Sequence, residues 1–372
     1  MPTLLRRGLV GVCIWPAVAT VLAAAPPPGA ADPRFTLRSA AAPTVTARIA
    51  AHLTRCCDRY QLVWPPQPAA QPGAKPTPIQ VELFGTLDDY RSALAARRLK
   101  LSNPACFIAD ENIVLLGFDG ARFGGQLDAL QKRTAALTDA LASLRTAHAD
   151  RVKEDEERFR LQGTPPAVRK DLKQRRLQEF NKAESKARQA LAEAEQANAG
   201  EFDRLARDLL AAAAHEMFHA YVHHRVYTPE RGQLPRWLDE GMAQVVEHAA
   251  WRDNRLPPEP PVELVRRVKA AHQAAAKERV AAFDLIAVLD AGSDDFRAVA
   301  DSGSDDGAQA RNYLAAWCLT QFLLSSGDLK PGEALDRYVA DRRTPPKARF
   351  ERWLGRSTTD VEQQWRAWIE RL

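Results

Sequence analysis

The spacing of hydrophobic residues changes several times along the chain, and each change marks a new kind of element. Val45, Ile49 and Leu53, followed by Cys56, Cys57 and Tyr60, recur at helical intervals and predict a helix over residues 44–60. A proline-rich loop over residues 65–78 follows. Ile79, Val81 and Leu83 then alternate with Gln80, Glu82 and Phe84, the period-two pattern of a strand with one strongly apolar face. Thr86 is placed to cap a helix whose first turn carries Asp88 and Asp89. Residues 106–108 and 113–116 flank Ala109-Asp110-Glu111-Asn112 and read as a hairpin. Residues 32–120 are thus expected to form a small α/β lobe.

From about Gly125 to Gly200 the composition shifts to Ala, Glu, Lys, Arg, Gln and Leu, and aromatics nearly vanish. Leu127, Leu130, Leu137, Leu141 and Leu144 are spaced by threes, fours and sevens. Gly163-Thr164-Pro165-Pro166 interrupts the run, and Val168, Leu172, Leu177, Phe180 and Ala187 resume it. The pattern predicts an antiparallel helical hairpin over residues 121–200, each arm on the order of 50 Å long. Its charges read first as a solvated face. A sharper reading is an arm that binds an unknown protein, or a lid over a neighbouring site. The second arm is expected to break near Asn198–Gly200 before running towards Phe202, Leu205 and Leu209.

Ala211-Ala212-Ala213-Ala214-His215-Glu216-Met217-Phe218-His219 contains H-E-x-x-H in a strongly helix-favouring context. Histidines four apart share one helix face, so both imidazoles can reach one ion, with Glu216 bordering the same face. A second block follows, Trp237-Leu238-Asp239-Glu240-Gly241-Met242-Ala243, opening an apolar helix that carries Met242, Val245, Val246 and Ala249. Glu240 stands 21 positions after His219, enough chain to turn and lay a second helix beside the first. In these two blocks the sequence resembles the gluzincin, or peptidase-MA-like, zinc peptidases, which carry H-E-x-x-H followed by W-L-x-E-G-x-A. The resemblance spans roughly residues 75–118 and 201–372 and is specific only at the two motifs.

The resemblance implies a zincin-like helical domain over residues 201–372, with Zn2+ held by His215, His219 and Glu240 and with Glu216 as general base. It also implies an edge strand that takes the substrate backbone by strand addition, for which Ile113–Gly117 is the candidate. Tyr313, in the apolar segment 312–324, matches the phenol that donates to the oxyanion in such proteins. A polypeptide is the implied substrate. Nothing matches the G-x-M-E-N motif of the aminopeptidase N family, so exopeptidase activity has no support.

The residues leave other readings open. His223 lies on the same face as His219, so a His215/His219/His223 site is sterically conceivable. The metzincin pattern is excluded, since Val222 and Arg225 occupy the positions of its glycine and last histidine. Glu247, seven past Glu240, is placed to hold a ligand histidine through its second ring nitrogen. Tyr313 also reads as a boundary tyrosine beside Trp317. Val262–Arg279 is amphipathic and basic, 283–289 is a short apolar helix, and Asp290–Gly307 reads as a loop. The aromatics of 331–372 read as core.

Residues 1–31 have the form of a cleaved secretory signal: Arg6 and Arg7, a largely apolar run from Gly8 to Ala25, then small residues. The expected location is therefore secreted or periplasmic, with no stable membrane span after cleavage. Removing the two arginines takes the net charge from +5 to +3, too slight to imply a nucleic-acid or anionic-membrane partner. Cys56, Cys57, Cys106 and Cys318 remain, and a bridge from Cys56 or Cys57 to Cys106 is as open as buried thiols.

The whole reads as α+β and mostly helical: an N-terminal α/β lobe, an inserted helical hairpin and a helical zinc-binding domain. The expected activity is a zinc metallopeptidase of endopeptidase type; the alternative is a non-catalytic secreted helical scaffold or binding protein with a structural or degenerate zinc site.

Overall fold

Alternation at Phe35 and Leu37, and again at Ile79, Val81 and Leu83, places two strands side by side at the start of a mixed sheet. In the computed structural model, residues 32–67, 77–101, 103–228, 232–249, 259–278, 282–296 and 306–372 are described. The expected signal segment lies outside them, as does most of the proline-rich loop. Strand β1 (Phe35–Ser39) pairs in parallel with β2 (Ile79–Phe84), with helix α1 (Pro43–Val63) as the crossover. Helix α2 (Leu87–Ala96) follows, its first turn capped as expected by Thr86, which accepts from the Asp89 amide at 3.1 Å.

The hairpin forms as β3 (Ala105–Ile108) and β4 (Ile113–Gly117), joined by a 3-10 turn and by Asn112 in the left-handed region. Its orientation corrects one expectation. The strand order is β1-β2-β4-β3, with β4 parallel to β2 and antiparallel to β3. Residues 113–117 are therefore interior, and the free edge belongs to β3. The cause is their composition: Val114, Leu115 and Leu116 are fully buried, apolar on both faces as an interior strand must be.

The arm consists of α3 (Gly120–Leu161) and α4 (Pro166–Leu205), packed against each other. Cross-helix pairs set its antiparallel register: Arg145 with Glu184 and Lys173 with Glu156, each at 2.8 Å, and His148 stacked on Phe180 at 3.9 Å. The expected break at Asn198–Gly200 is absent. A single glycine costs a helix only about 1 kcal/mol, and α4 continues to Leu205, where Ala206 separates it from α5 (Arg207–Tyr221). The arm thus runs into the H-E-x-x-H helix with one residue between.

Helix α5 packs against α1, β3 and β4, and α6 (Arg236–His248) packs beside it. Tyr60 donates to the Ala214 carbonyl and Tyr221 to the Trp64 carbonyl, both at 2.6 Å, which fixes the C-terminal end of α1 on α5. Helix α7 (Val262–Glu278) and α8 (Leu285–Asp290) follow, and then α9 (Asp306–Ser325), which packs along α6. Gly241 permits that packing. A Cβ there would stand 2.5 Å from the Ala316 carbonyl oxygen and closer still to Thr320 Oγ1. Helices α10 (Glu333–Ala340), α11 (Pro346–Leu354) and α12 (Thr358–Arg371) close the core with Phe350 and Trp365, as their spacing predicted.

The architecture is α+β and mostly helical, with one small four-stranded mixed sheet. Among the described residues no helix is long and apolar enough to cross a membrane. The four cysteines are buried and free. Cys106 packs with Tyr90, Leu94 and Leu115 in a separate cluster, away from Cys56 and Cys57, so the bridge left open by the sequence is not formed.

Candidate metal centre

Helix α5 presents His215, Glu216 and His219 towards α6, which supplies Glu240. Three of these form the group of ligand atoms able to hold a metal ion among the described residues: His215, His219 and Glu240 offer atoms all within 4.8 Å of one another. The Nε2 atoms of His215 and His219 lie 3.2 and 3.6 Å from the same oxygen, Glu240 Oε2. Ligands about 2.05 Å from a tetrahedral ion stand roughly 3.3 Å apart, close to the two separations from Glu240 Oε2.

The second nitrogen of each ring faces a carboxylate. His215 Nδ1 is 2.9 Å from Glu247 Oε2, the contact expected from the spacing of Glu247. His219 Nδ1 is 2.9 Å from Asp239 Oδ1, a close charge contact whose angle falls short of an aligned hydrogen bond. Carboxylates at Nδ1 favour the tautomer that leaves Nε2 free to ligate. Asp239, next to the ligand carboxylate, was not singled out from the sequence. Neither was Arg236, one turn before Glu240, which pairs with Glu240 Oε1 and lies 3.4 Å from Asp239 Oδ2. The spacing Arg236–Glu240, four apart on one helix, was the available signal.

Charge in this group is nearly hidden from solvent, Glu240 being 1% exposed. Burial would push the His215 pKa down, but its contacts with Glu240 and Glu247 prevail and hold it well above the usual imidazole value. Burial likewise opposes protonation of His219, yet Asp239 and Glu240 raise it to about 9. Burial also works against the Glu240 carboxylate, and the two imidazoles outweigh it, holding that pKa well below the usual range. Glu216 goes the other way: burial raises it, and the neighbouring imidazoles pull it only part of the way back. Two imidazoles and a carboxylate are donor types that a divalent ion such as zinc takes.

Glu216 is held from the sheet. The outward-facing N–H of Phe107, on edge strand β3, donates to Glu216 Oε2 at 2.8 Å. No sequence pattern pointed to this contact between residues 107 and 216. The Phe107 ring also meets His223 and His224, each at 5.9 Å between centroids, on the π-helical turn Val222–Val226 that ends the metal helix. His223 therefore packs on the edge strand and does not join the ligand group.

Tyr313 stands two turns inside α9 instead of opening it. Its hydroxyl donates to the Phe296 carbonyl at 2.5 Å, and its own carbonyl accepts from Gln244 of α6 at 2.8 Å. Burial is the main cause of its raised pKa; Glu240, Glu216 and Glu247 act in the same direction and Arg236 against it. Comparison with protein-family models, curated proteins and solved structures finds no match to this chain.

Proposed function

We propose that this protein is a zinc-dependent metallopeptidase of gluzincin type, most economically an endopeptidase. The observation that carries the reading is the convergence of two imidazole nitrogens on one Glu240 oxygen, with Glu216 beside them and tethered to edge strand β3. The three-ligand group leaves one tetrahedral position for water or substrate, which is how catalytic zinc sites differ from structural ones.

His215, His219 and Glu240 would hold the zinc, and Glu247 and Asp239 would orient the two rings. Bound zinc supplies Lewis acidity, polarising a scissile carbonyl and bringing the pKa of water towards neutrality. Glu216 accepts the proton of the attacking water and returns it to the leaving amine. Its pKa is raised by burial, the direction that makes a carboxylate a stronger base. The Phe107 amide aims that carboxylate. An extended polypeptide adding to β3 would lie along the edge that carries Phe107, beside Glu216. Tyr313 would donate to the oxyanion on exchanging its bond to Phe296, and Arg236 places a guanidinium on the same side of Glu240.

Glu216→Gln keeps shape and ligands while removing the base. The variant is expected to bind one zinc per chain and to lose at least about 100-fold in hydrolysis of an unfolded casein-like substrate. Cleavage at the native rate would refute the assignment of Glu216. A peptide-library digest with and without chelator tests the activity itself.

A further inference from the structure

The chain's modest net charge conceals a sharp local segregation. Residues 158–176, the far end of the arm, contain seven Arg or Lys and one acid, Asp171. Asp155, at the near side of this end, neutralises two of the cations, pairing with Arg158 and with Arg176 at 2.8 Å. Arg160 and Arg175 remain more than two-thirds exposed despite weak pairing, and Lys170 is exposed as well.

The same end carries apolar side chains in water. Large exposed hydrophobic residues are few among the described residues, and three of them, Leu161, Val168 and Leu172, lie within this stretch, with Leu177 next to it. Leu161 is 74% exposed at the last position of α3, directly before the turn. Val168 and Leu172, four apart, share one side of the first turns of α4. Pro165 and Pro166, also exposed, complete the tip. An arm stabilised only by its own seam has no use for these residues. Aliphatic groups at an extremity, ringed by cations, match a membrane interface, where the apolar groups enter the acyl boundary and the cations meet anionic headgroups. Nucleic acid would use the cations but leave the leucines in water.

We propose that the tip of the α3–α4 hairpin is a docking surface for an anionic lipid bilayer. Helices of 42 and 40 residues then act as a spacer on the order of 60 Å, holding the metal centre away from the surface. The inference does not depend on the peptidase reading, because the tip and the metal group share no residue.

Vesicle flotation of the full chain tests it, using phosphatidylcholine vesicles with and without about one-third phosphatidylglycerol. The expected result is flotation with the anionic vesicles, reversal by high salt, and little binding to phosphatidylcholine alone. Lys170→Glu with Arg175→Glu is expected to weaken binding by about tenfold or more, and Leu161→Ser with Leu172→Ser by a similar factor. Circular dichroism should show the arm's helix content retained in both. Because the comparison is between tip variants of one chain, binding by any other segment cancels. Equal binding by wild type and both variants overturns the proposal. So does failure to bind anionic vesicles, including the case where the tip captures polyglutamate or an oligonucleotide instead.

Discussion

The arm and the helices of the candidate metal centre use the same charged residues in opposite ways. On the arm, Arg175 and Asp171 form an ion pair with side chains 71% and 57% exposed, whereas Arg236 pairs on α6 with a Glu240 that is 1% exposed. Exposed pairs contribute between nothing and about 1 kcal/mol, since water already solvates both partners. A buried pair is costly to assemble, and removing one partner strands the other. Charges kept where they are expensive are retained for something other than stability. That contrast supports α5 and α6 as the place of the proposed chemistry.

The most disruptive test removes the carboxylate on which both imidazoles converge. Glu240→Ala is expected to reduce zinc from one per chain to none in equilibrium dialysis and to abolish hydrolysis, while leaving the arm's helicity unchanged. Next comes the seam that positions it. Gly241→Val forces a side chain into the Ala316 carbonyl and Thr320 hydroxyl, and should destabilise the fold by roughly 3 kcal/mol or more. Urea unfolding would show it; an unchanged midpoint would mean that α6 and α9 are not so closely packed.

A smaller effect depends on pH. His52 is half-buried where α1 meets α5, with Nε2 2.9 Å from the Leu210 carbonyl, and the loss of solvent around it lowers its pKa to about 4. Its folded value lies below the unfolded one near 6.5, so native His52 is neutral. The associated stability is complete above pH 6.5 and is lost as pH falls towards 4. The stake is about 3 kcal/mol at most. His52→Gln should therefore flatten the fall in unfolding free energy between pH 7 and 4.5. At the far end of the scale, Arg175→Gln on the arm should change stability by less than about 0.5 kcal/mol. A larger loss would erase the contrast between the two regions.

What could be read from the sequence was whatever is local to one helix or one turn. His215, His219 and Glu247 declared themselves by helical spacing, Thr86 by its cap position, and the arm by its shift in composition and its Pro165-Pro166 turn, although Val168, Leu172 and Leu177 of the expected seam face solvent. Strand order was not available, because adjacent alternating segments say nothing about which neighbour a third strand inserts between. Hence β4 was placed at the edge that β3 occupies, and β1, short and next to the leader-like segment, went unnoticed. The Phe107 amide could not have been found either, since a backbone donor leaves no trace in residue identity. Asp239 and Arg236 were in plain view beside Glu240; their roles depend on the angle at which α6 crosses α5, which packing decides.

The account rests on one ion shared by two helices, and a crystal grown with one equivalent of zinc would test it most directly by anomalous diffraction at the zinc edge. The predicted result is a single strong peak about 2.0–2.2 Å from His215 Nε2, His219 Nε2 and a Glu240 oxygen, with a fourth position filled by solvent. A peak elsewhere, a fourth protein ligand closing the site, or no peak at all would contradict it.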